Sequence, residues 1–367
     1  MKANFVKLVL AAAVAASLIA GLGGGAQAAV RAARASQVAS PPVLLSVRCI
    51  GNSFCYATGS QPGHGQLAEE WNGKAWRIIP NPKHGSLFTC GGASFCLGEA
   101  AVPPNHAQTV VWNGRTWRRF NAQPPVPGSV TCLSPKFCVG LDDINERDGE
   151  DYWTGGSSWQ RMPGTSAGCG GAFCTIQNFS CSSATNCQDS GSYCGDDDCD
   201  DGIFDYTDIW NGTTWSDSTE SPSPGFGGAQ ACAGRAFCMV FDPPDQAAIT
   251  NDWSATWQGA SAHLAASCRH LASCTEPALL ACGSSHSCLA TTSQNPGATL
   301  VWNGAKWGVS KLLLVSGHAP KLTSLSCGGP RNCMATGTYQ LNPRGAVRLI
   351  VEHWNGKSWK VTPIQKP

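Results

Sequence analysis

The sequence predicts an all-β chain, a seven-bladed β-propeller of four-stranded antiparallel blades. Three observations carry that expectation. A Cys/Trp pattern recurs seven times, and most copies hold a hairpin signal between two tryptophans. Charged residues are only 13% of the chain, against a usual share of about 25%. With 42 Gly and 23 Pro, the composition favours short strands and tight turns over long surface helices. No apolar pattern of helical period follows the N-terminus.

The tryptophan motif is Trp71-Asn72-Gly73-Lys74-Ala75-Trp76. It returns at Trp112–Trp117, Trp210–Trp215, Trp302–Trp307 and Trp354–Trp359, with looser copies at Trp153–Trp159 and Trp253–Trp257. These pairs use all 14 tryptophans. Asn-Gly between apolar runs is a strong hairpin signal, because a type I′ turn needs positive φ at both central residues. A two-residue turn at Asn72-Gly73 would set Trp71 opposite Lys74 and Glu69 opposite Trp76. The two indoles would then be diagonal neighbours on one face. A hairpin with two indoles on one face needs a second sheet to cover them. The pairs Trp71 and Trp76, Trp112 and Trp117, Trp210 and Trp215, Trp302 and Trp307, and Trp354 and Trp359 are therefore expected as inter-blade core rather than as sugar-stacking platforms.

The 20 cysteines fall into ten close doublets. Seven have five intervening residues and occur once per repeat: Cys49 with Cys55, Cys90 with Cys96, Cys132 with Cys138, Cys181 with Cys187, Cys232 with Cys238, Cys282 with Cys288 and Cys327 with Cys333. Three are additional: Cys169 with Cys174, Cys194 with Cys199 and Cys268 with Cys274. Connectivity is not fixed by sequence, and pairing within each doublet is the simplest scheme. The repeats are 41–51 residues long, measured between first cysteines. Each has a strand ending at a Cys, a turn, a strand starting at the next Cys, a loop, a strand ending in Trp, and a strand starting at the second Trp. These are strands A to D, and seven such sheets stack as a propeller.

Residues 1–28 read as an export leader. Lys2 and Lys7 give the positive start, Leu8 to Leu22 the apolar run, and Ala26-Gln27-Ala28 the cleavage site. A flexible segment, 29–42, and the propeller, 43–367, follow. The apolar run is short for a span, and no later run is suited to crossing a membrane. Loss of Lys2 and Lys7 leaves 23 basic against 24 acidic side chains, so no basic field exists for nucleic acid. Cysteine doublets in an exported chain point to disulfides rather than zinc or redox chemistry. The expected state is a secreted, extracellular monomer.

This pattern, a strand ending in Cys, a Cys-x5-Cys turn and a strand ending in Trp-Asn-Gly-x-x-Trp, resembles the secreted Cys/Trp repeat proteins of actinobacteria. That resemblance covers nearly all of 43–363 and implies a kelch-like propeller of mostly unassigned function. Gly-x-x-Trp also resembles part of the sialidase Asp-box, but Trp replaces its Asp here, so nothing catalytic carries over.

In a propeller the A–B and C–D turns share one face, and the B–C loops and D–A links share the other. The spacing from first Cys to first Trp is 29 residues in repeat 4 and 27 in repeat 7, against 20–22 elsewhere. The links after repeats 3, 5 and 6 are also long. The insertions therefore share the B–C face, where binding is expected.

The sharpest local chemistry is Cys194-Gly-Asp196-Asp197-Asp198-Cys199-Asp200-Asp201. Asp196, Asp198, Asp200 and Asp201 form a candidate Ca²⁺ site that departs from the EF-hand, since its Gly is one place late. Asp142, Asp143, Glu146, Asp148, Glu150 and Asp151 make a neighbouring acidic loop. His263, Arg269, His270 and Glu276 are a weaker metal or acid–base candidate. No cofactor is required by the pattern, and Ca²⁺ is the candidate ion. No nucleophile elbow, phosphate loop or spaced carboxylate pair is present. The expected function is an extracellular binding module for a polysaccharide or a protein. The alternative is a glycoside hydrolase or lyase with its site at the central channel, and catalytic and ligand-binding residues are not assigned by the sequence.

Overall fold

The structure, a computed structural model, describes residues 43–363 apart from 62–64, 83–84, 103–105, 121–129, 143–148, 155–158, 164–173, 195–202, 217–228, 235–236, 243–245, 251–257, 260–276, 293–297, 312–317 and 343–344. The described residues form seven antiparallel sheets, each of four strands in sequence order. Sheet 1 consists of Val43–Ile50, Phe54–Gln61, Gly65–Trp71 and Trp76–Ile78. The first strands of sheets 2 to 7 are Gly85–Gly92, Val130–Ser134, Cys174–Ser183, Gln230–Ala233, Pro277–Ser284 and Lys321–Gly329. From sheet 2 onward, consecutive sheets touch through these first strands, and that of sheet 7 touches that of sheet 1. Sheet 1 meets the first strand of sheet 2 chiefly through its own second and third strands. The fold is a β-propeller. Every sheet is built from its own consecutive strands, so the ring closes by packing and not by a shared strand. No helix among the described residues is long and apolar enough to cross a membrane.

The repeat motif becomes one row across each sheet. In sheet 1, Cys49, Cys55, Trp71 and Trp76 stand directly opposite one another. Directly opposed residues of antiparallel strands share a face. Sheets 2, 4, 6 and 7 repeat the row. Sheet 3 keeps Cys132, Cys138 and Trp153 in register. Sheet 5 departs: Thr250, not Trp253, stands opposite Cys238. Its third strand ends before Trp253, and Trp253 and Trp257 lie outside the described residues.

The turn differs from the two-residue hairpin expected from Asn-Gly. Trp71 opposes Trp76 itself and Glu69 opposes Ile78, so residues 72–75 form a four-residue loop. The Asn72 side chain explains the longer turn. Its Oδ1 accepts hydrogen bonds from the N–H groups of Lys74 and Ala75, both at 3.0 Å. Asn113, Asn211, Asn303 and Asn355 make the same paired contacts. Such Asx bonding holds the chain in the turn. Gly73 follows at φ 90°, where a side chain would be strained. The indoles meet at 5.9 Å between ring centroids, tilted by 48°.

The Cys/Trp face of each sheet packs on the preceding sheet. Cys49, Cys55, Trp71 and Trp76 pack with Met334 and Val351 of sheet 7. Cys90, Cys96 and Trp112 pack with Phe54, Tyr56 and Ile79 of sheet 1. Of the ten tryptophans expected as core, eight are buried, while Trp117 and Trp215 are half-buried. A buried Trp contributes roughly 3–5 kcal/mol relative to Ala. Apolar clusters of this kind among the described residues join six of the seven neighbouring pairs of sheets. Among the described residues, sheets 4 and 5 meet through polar groups instead. Gln188 Nε2 donates to Gln230 Oε1 at 2.8 Å, and the Cys232 N–H donates to Ser180 Oγ at 3.3 Å. Asn186 and Gln188 are fully buried there.

All seven repeat doublets are disulfides, with Cα–Cα distances of 3.8–4.0 Å. Each links the first two strands of its sheet, and each joins the two members of one doublet. Thus Cys181 bonds to Cys187, Cys282 bonds to Cys288, and Cys327 bonds to Cys333. The second sulfurs are sealed in: Cys187, Cys288 and Cys333 are fully buried. The three additional doublets are a different matter. Cys169, Cys199, Cys268 and Cys274 lie outside the described residues, and so do the side chains of Cys174 and Cys194. The expected pairing of Cys268 with Cys274 therefore falls outside the described structure, as do the leader and residues 29–42.

Candidate functional site at the ring axis

The first strands of the seven sheets surround a cavity of about 480 Å³. Its lining continues into the A–B turns at Gly51 and Gly234, so the cavity reaches that face. The C–D turns share this face: an added Cβ at Gly73 or Gly114 would meet Ser53 or Ser94 of the A–B turn in the same sheet.

The residue before the first cysteine sets much of the lining. It is Arg48, Thr89, Thr131, Ser180, Ala231, Ala281 and Ser326 in sheets 1 to 7. Three of the hydroxyls stitch the ring. The Cys132 N–H donates to Thr89 Oγ1 at 3.1 Å, and the Cys49 N–H donates to Ser326 Oγ at 2.9 Å. Ser180 receives the Cys232 N–H in the same way. Tyr56 Oη and Thr89 Oγ1 also share a hydrogen bond at 3.0 Å.

Arg48 breaks this pattern. A guanidinium has only donors, so it cannot take the neighbouring N–H. Its side chain instead passes sheet 2 and donates from Nη1 to Thr131 Oγ1 in sheet 3, at 3.0 Å. It is the one charged residue among the described residues lining the cavity. Burial pushes the guanidinium below its ordinary pKa, and the Tyr56 phenol opposes that shift. The described lining also includes Ser46, Thr131, Ser182, Gln230 and Ser326, with no carboxylate or imidazole among the described lining residues.

Most of the sequence-derived site candidates fall outside the described structure. Asp196, Asp198, Asp200 and Asp201 lie outside the described residues, as do Asp143, Glu146, Asp148, His263, Arg269, His270 and Glu276. Asp142, Glu150 and Asp151 fall in strands of sheet 3, opposite Gly149, Leu141 and Gly140. Sequence reading passes over Arg48 because it looks like an ordinary basic residue. Aligning the repeats on the first cysteine isolates it, since every other repeat has Ser, Thr or Ala at that place.

The comparisons bear on the ring rather than on its cavity. Several solved β-propellers share the fold. The β-propeller domain of the Trilobed protease from Pyrococcus furiosus, described as having an open velcro topology, superposes with a TM-score of 0.54. It is 10% identical, and the match covers 89% of this chain and all of that one. YCF48 bound to D1 peptide has a TM-score of 0.53 at 14% identity, covering 87% of this chain and 95% of that one. YCF48 from Cyanidioschyzon merolae has a TM-score of 0.50 at 14% identity, covering 86% and 96%. At these identities the likeness shows the fold alone. No family model matches the chain, and no curated protein matches it.

Proposed function

We propose that the chain is an exported, disulfide-braced binding module whose seven sheets act as seven blades of one ring. In this reading it belongs with the secreted Cys/Trp repeat proteins that it resembles and takes an extracellular protein segment as its ligand. The observation that carries it is the axial cavity, lined from all seven sheets and with a single cation among its described lining residues.

Two features favour binding over sugar hydrolysis. Glycoside hydrolysis needs two carboxyl groups across the scissile bond, and the described lining supplies none. Seven disulfides suit an oxidising medium outside the cell. A protein is favoured over a polysaccharide because eight of the ten motif tryptophans expected as core are buried against neighbouring sheets. They offer no stacking platform to a sugar. YCF48 is a fold-level precedent for a ring of this kind with a bound peptide.

Binding to parallel peptide and glycan arrays, with glycosidase and lyase assays on any glycan retained, tests this reading. Peptide capture without sugar turnover supports it. Release of reducing ends from a captured glycan contradicts it.

A further inference from the structure

The ligand reading can be taken one step further, to the chemical group that the cavity recognises. Arg48 is a half-buried cation at the ring axis, and the described lining of the same cavity carries hydroxyls and one amide. Thr131 takes one donor from its planar fork. No carboxylate among the described residues lies within ion-pair distance; the one ion pair described joins Arg77 to Glu70 at 2.8 Å. A half-buried charge without a counter-charge is partly desolvated, and an entering anion relieves that cost. The guanidinium fork matches a planar carboxylate through two parallel N–H···O bonds.

The surroundings keep the charge in place. Tyr56 stands directly opposite Arg48 in sheet 1 and is tied to Thr89. Thr131 fixes the far end of the guanidinium from sheet 3. The fork is therefore held before any ligand arrives, which lowers the ordering cost of binding. Neighbouring Ser182 and Ser326 already bond to main-chain groups of adjacent sheets, Ser182 donating to Gly234 O at 2.8 Å. They brace the wall and leave Arg48 as the anchor.

We propose that Arg48 is a carboxylate-binding residue at the ring axis, reached from the A–B turn face, and that it receives the carboxylate of the incoming ligand. This rests on the binding-module reading, and the experiment separates the two.

The full secreted chain, its Arg48→Gln variant and its Arg48→Lys variant are titrated calorimetrically with three probes. These are an uncharged hexapeptide ending in a free carboxylate, the same peptide amidated, and a galacturonic acid trimer. The carboxylate peptide should bind the native chain and lose about tenfold or more in affinity in both variants, because a hydrogen-bonded charge pair is lost or its fork replaced. The amidated peptide should bind all three proteins alike. Should the variants fail to fold, phenylglyoxal labelling of native Arg48 gives the same answer, with Arg77 as the internal control. The carboxylate peptide should then suppress Arg48 labelling severalfold. Equal binding of the two peptides overturns the Arg48 proposal and leaves the protein-ligand reading standing. Arg48-dependent binding of the trimer alone keeps the carboxylate site and overturns the protein-ligand reading. No Arg48 dependence with any probe, and no protection, overturns the proposal outright.

Discussion

The indole Nε1 of Trp76 donates a hydrogen bond of 3.1 Å to Thr362 Oγ1, 286 residues later in the chain. This bond joins the fourth strand of sheet 1 to the end of sheet 7. Trp117 makes the related contact one step on, donating to Pro80 O at 2.6 Å. The contact between consecutive sheets is thus reused to close the ring. The closing seam also contains Asn332, whose Nδ2 donates to Gly51 O at 3.0 Å. Thr362→Val leaves the buried indole N–H without its acceptor and should cost about 1–3 kcal/mol. Urea unfolding followed by Trp fluorescence reads the loss directly. An unchanged midpoint would mean that the seam does not hold the ring.

The same seam should lose stability in acid. The His353 ring lies 5.8 Å from that of Trp71. Burial lowers its pKa below the ordinary value, a backbone hydrogen bond involving Arg331 opposes that, and Lys360 adds to the lowering. The unfolded chain therefore binds a proton first as pH falls below about 6.5. Stability contributed by neutral His353 is complete above that pH and declines on acidification until the folded-state pKa is passed. His353→Gln should flatten the fall in melting temperature between about pH 7 and pH 5. An identical pH profile for the variant would remove His353 as the cause.

Close backbone contact near the axis makes Gly328 sensitive to substitution. A Cβ added to Gly328 would land on the carbonyl oxygen of Gly51 in the A–B turn of sheet 1. Gly328→Ala must then push sheets 7 and 1 apart, at a cost of roughly 1–3 kcal/mol or more. Thermal unfolding of this variant should fall by several degrees, whereas Gly308→Ala, with its nearest neighbour atom at 3.9 Å, should not disturb its packing. Equal behaviour of the two variants would refute the close approach.

The polar seam between sheets 4 and 5 should open first. It has Gln188 and Gln230 where other pairs of sheets have apolar clusters, and Thr250 takes the place of a row Trp. Amide exchange in the third strand of sheet 5, Gln246–Thr250, should exceed that in the third strand of sheet 1. Gln188→Ala should widen the gap, because it removes the hydrogen bond to half-buried Gln230. Uniform protection around the ring would contradict this.

The repeat disulfides should leave no reactive thiols among the seven doublets in the native protein. Each closes a short loop and contributes about 2–2.5 kcal/mol by chain entropy. Reduction should therefore lower the melting temperature. Several free thiols in peptide maps of the native chain, at Cys187, Cys288 or Cys333 for instance, would break the pairing.

Much of the scaffold is legible in the sequence because it is written seven times. A doublet spaced alike in every repeat marks the first two strands, and the Trp pair marks the last two. The register within the turn is not legible, because Asn-Gly suits several turn lengths and the Asn side chain decides between them. Sheet 5 misleads for a related reason. Trp253 looks like the row residue by type, yet strand pairing places Thr250 there. The site is the least legible part. Acidic runs such as Asp196–Asp201 stand out in a sequence, while Arg48 stands out only once the repeats are aligned, and its place at the axis follows only when seven first strands converge.

The most direct test of the whole account is where a ligand sits. A carboxylate-ending peptide carrying a benzophenone should be photo-cross-linked to the full chain and the sites mapped by mass spectrometry. The account predicts adducts in the first strands or A–B turns that line the axis, such as Ser46–Gly51, Thr131–Leu133 or Leu325–Gly328, competed by unlabelled peptide. Adducts confined to the acidic B–C loops at 143–148 and 195–202 would contradict it.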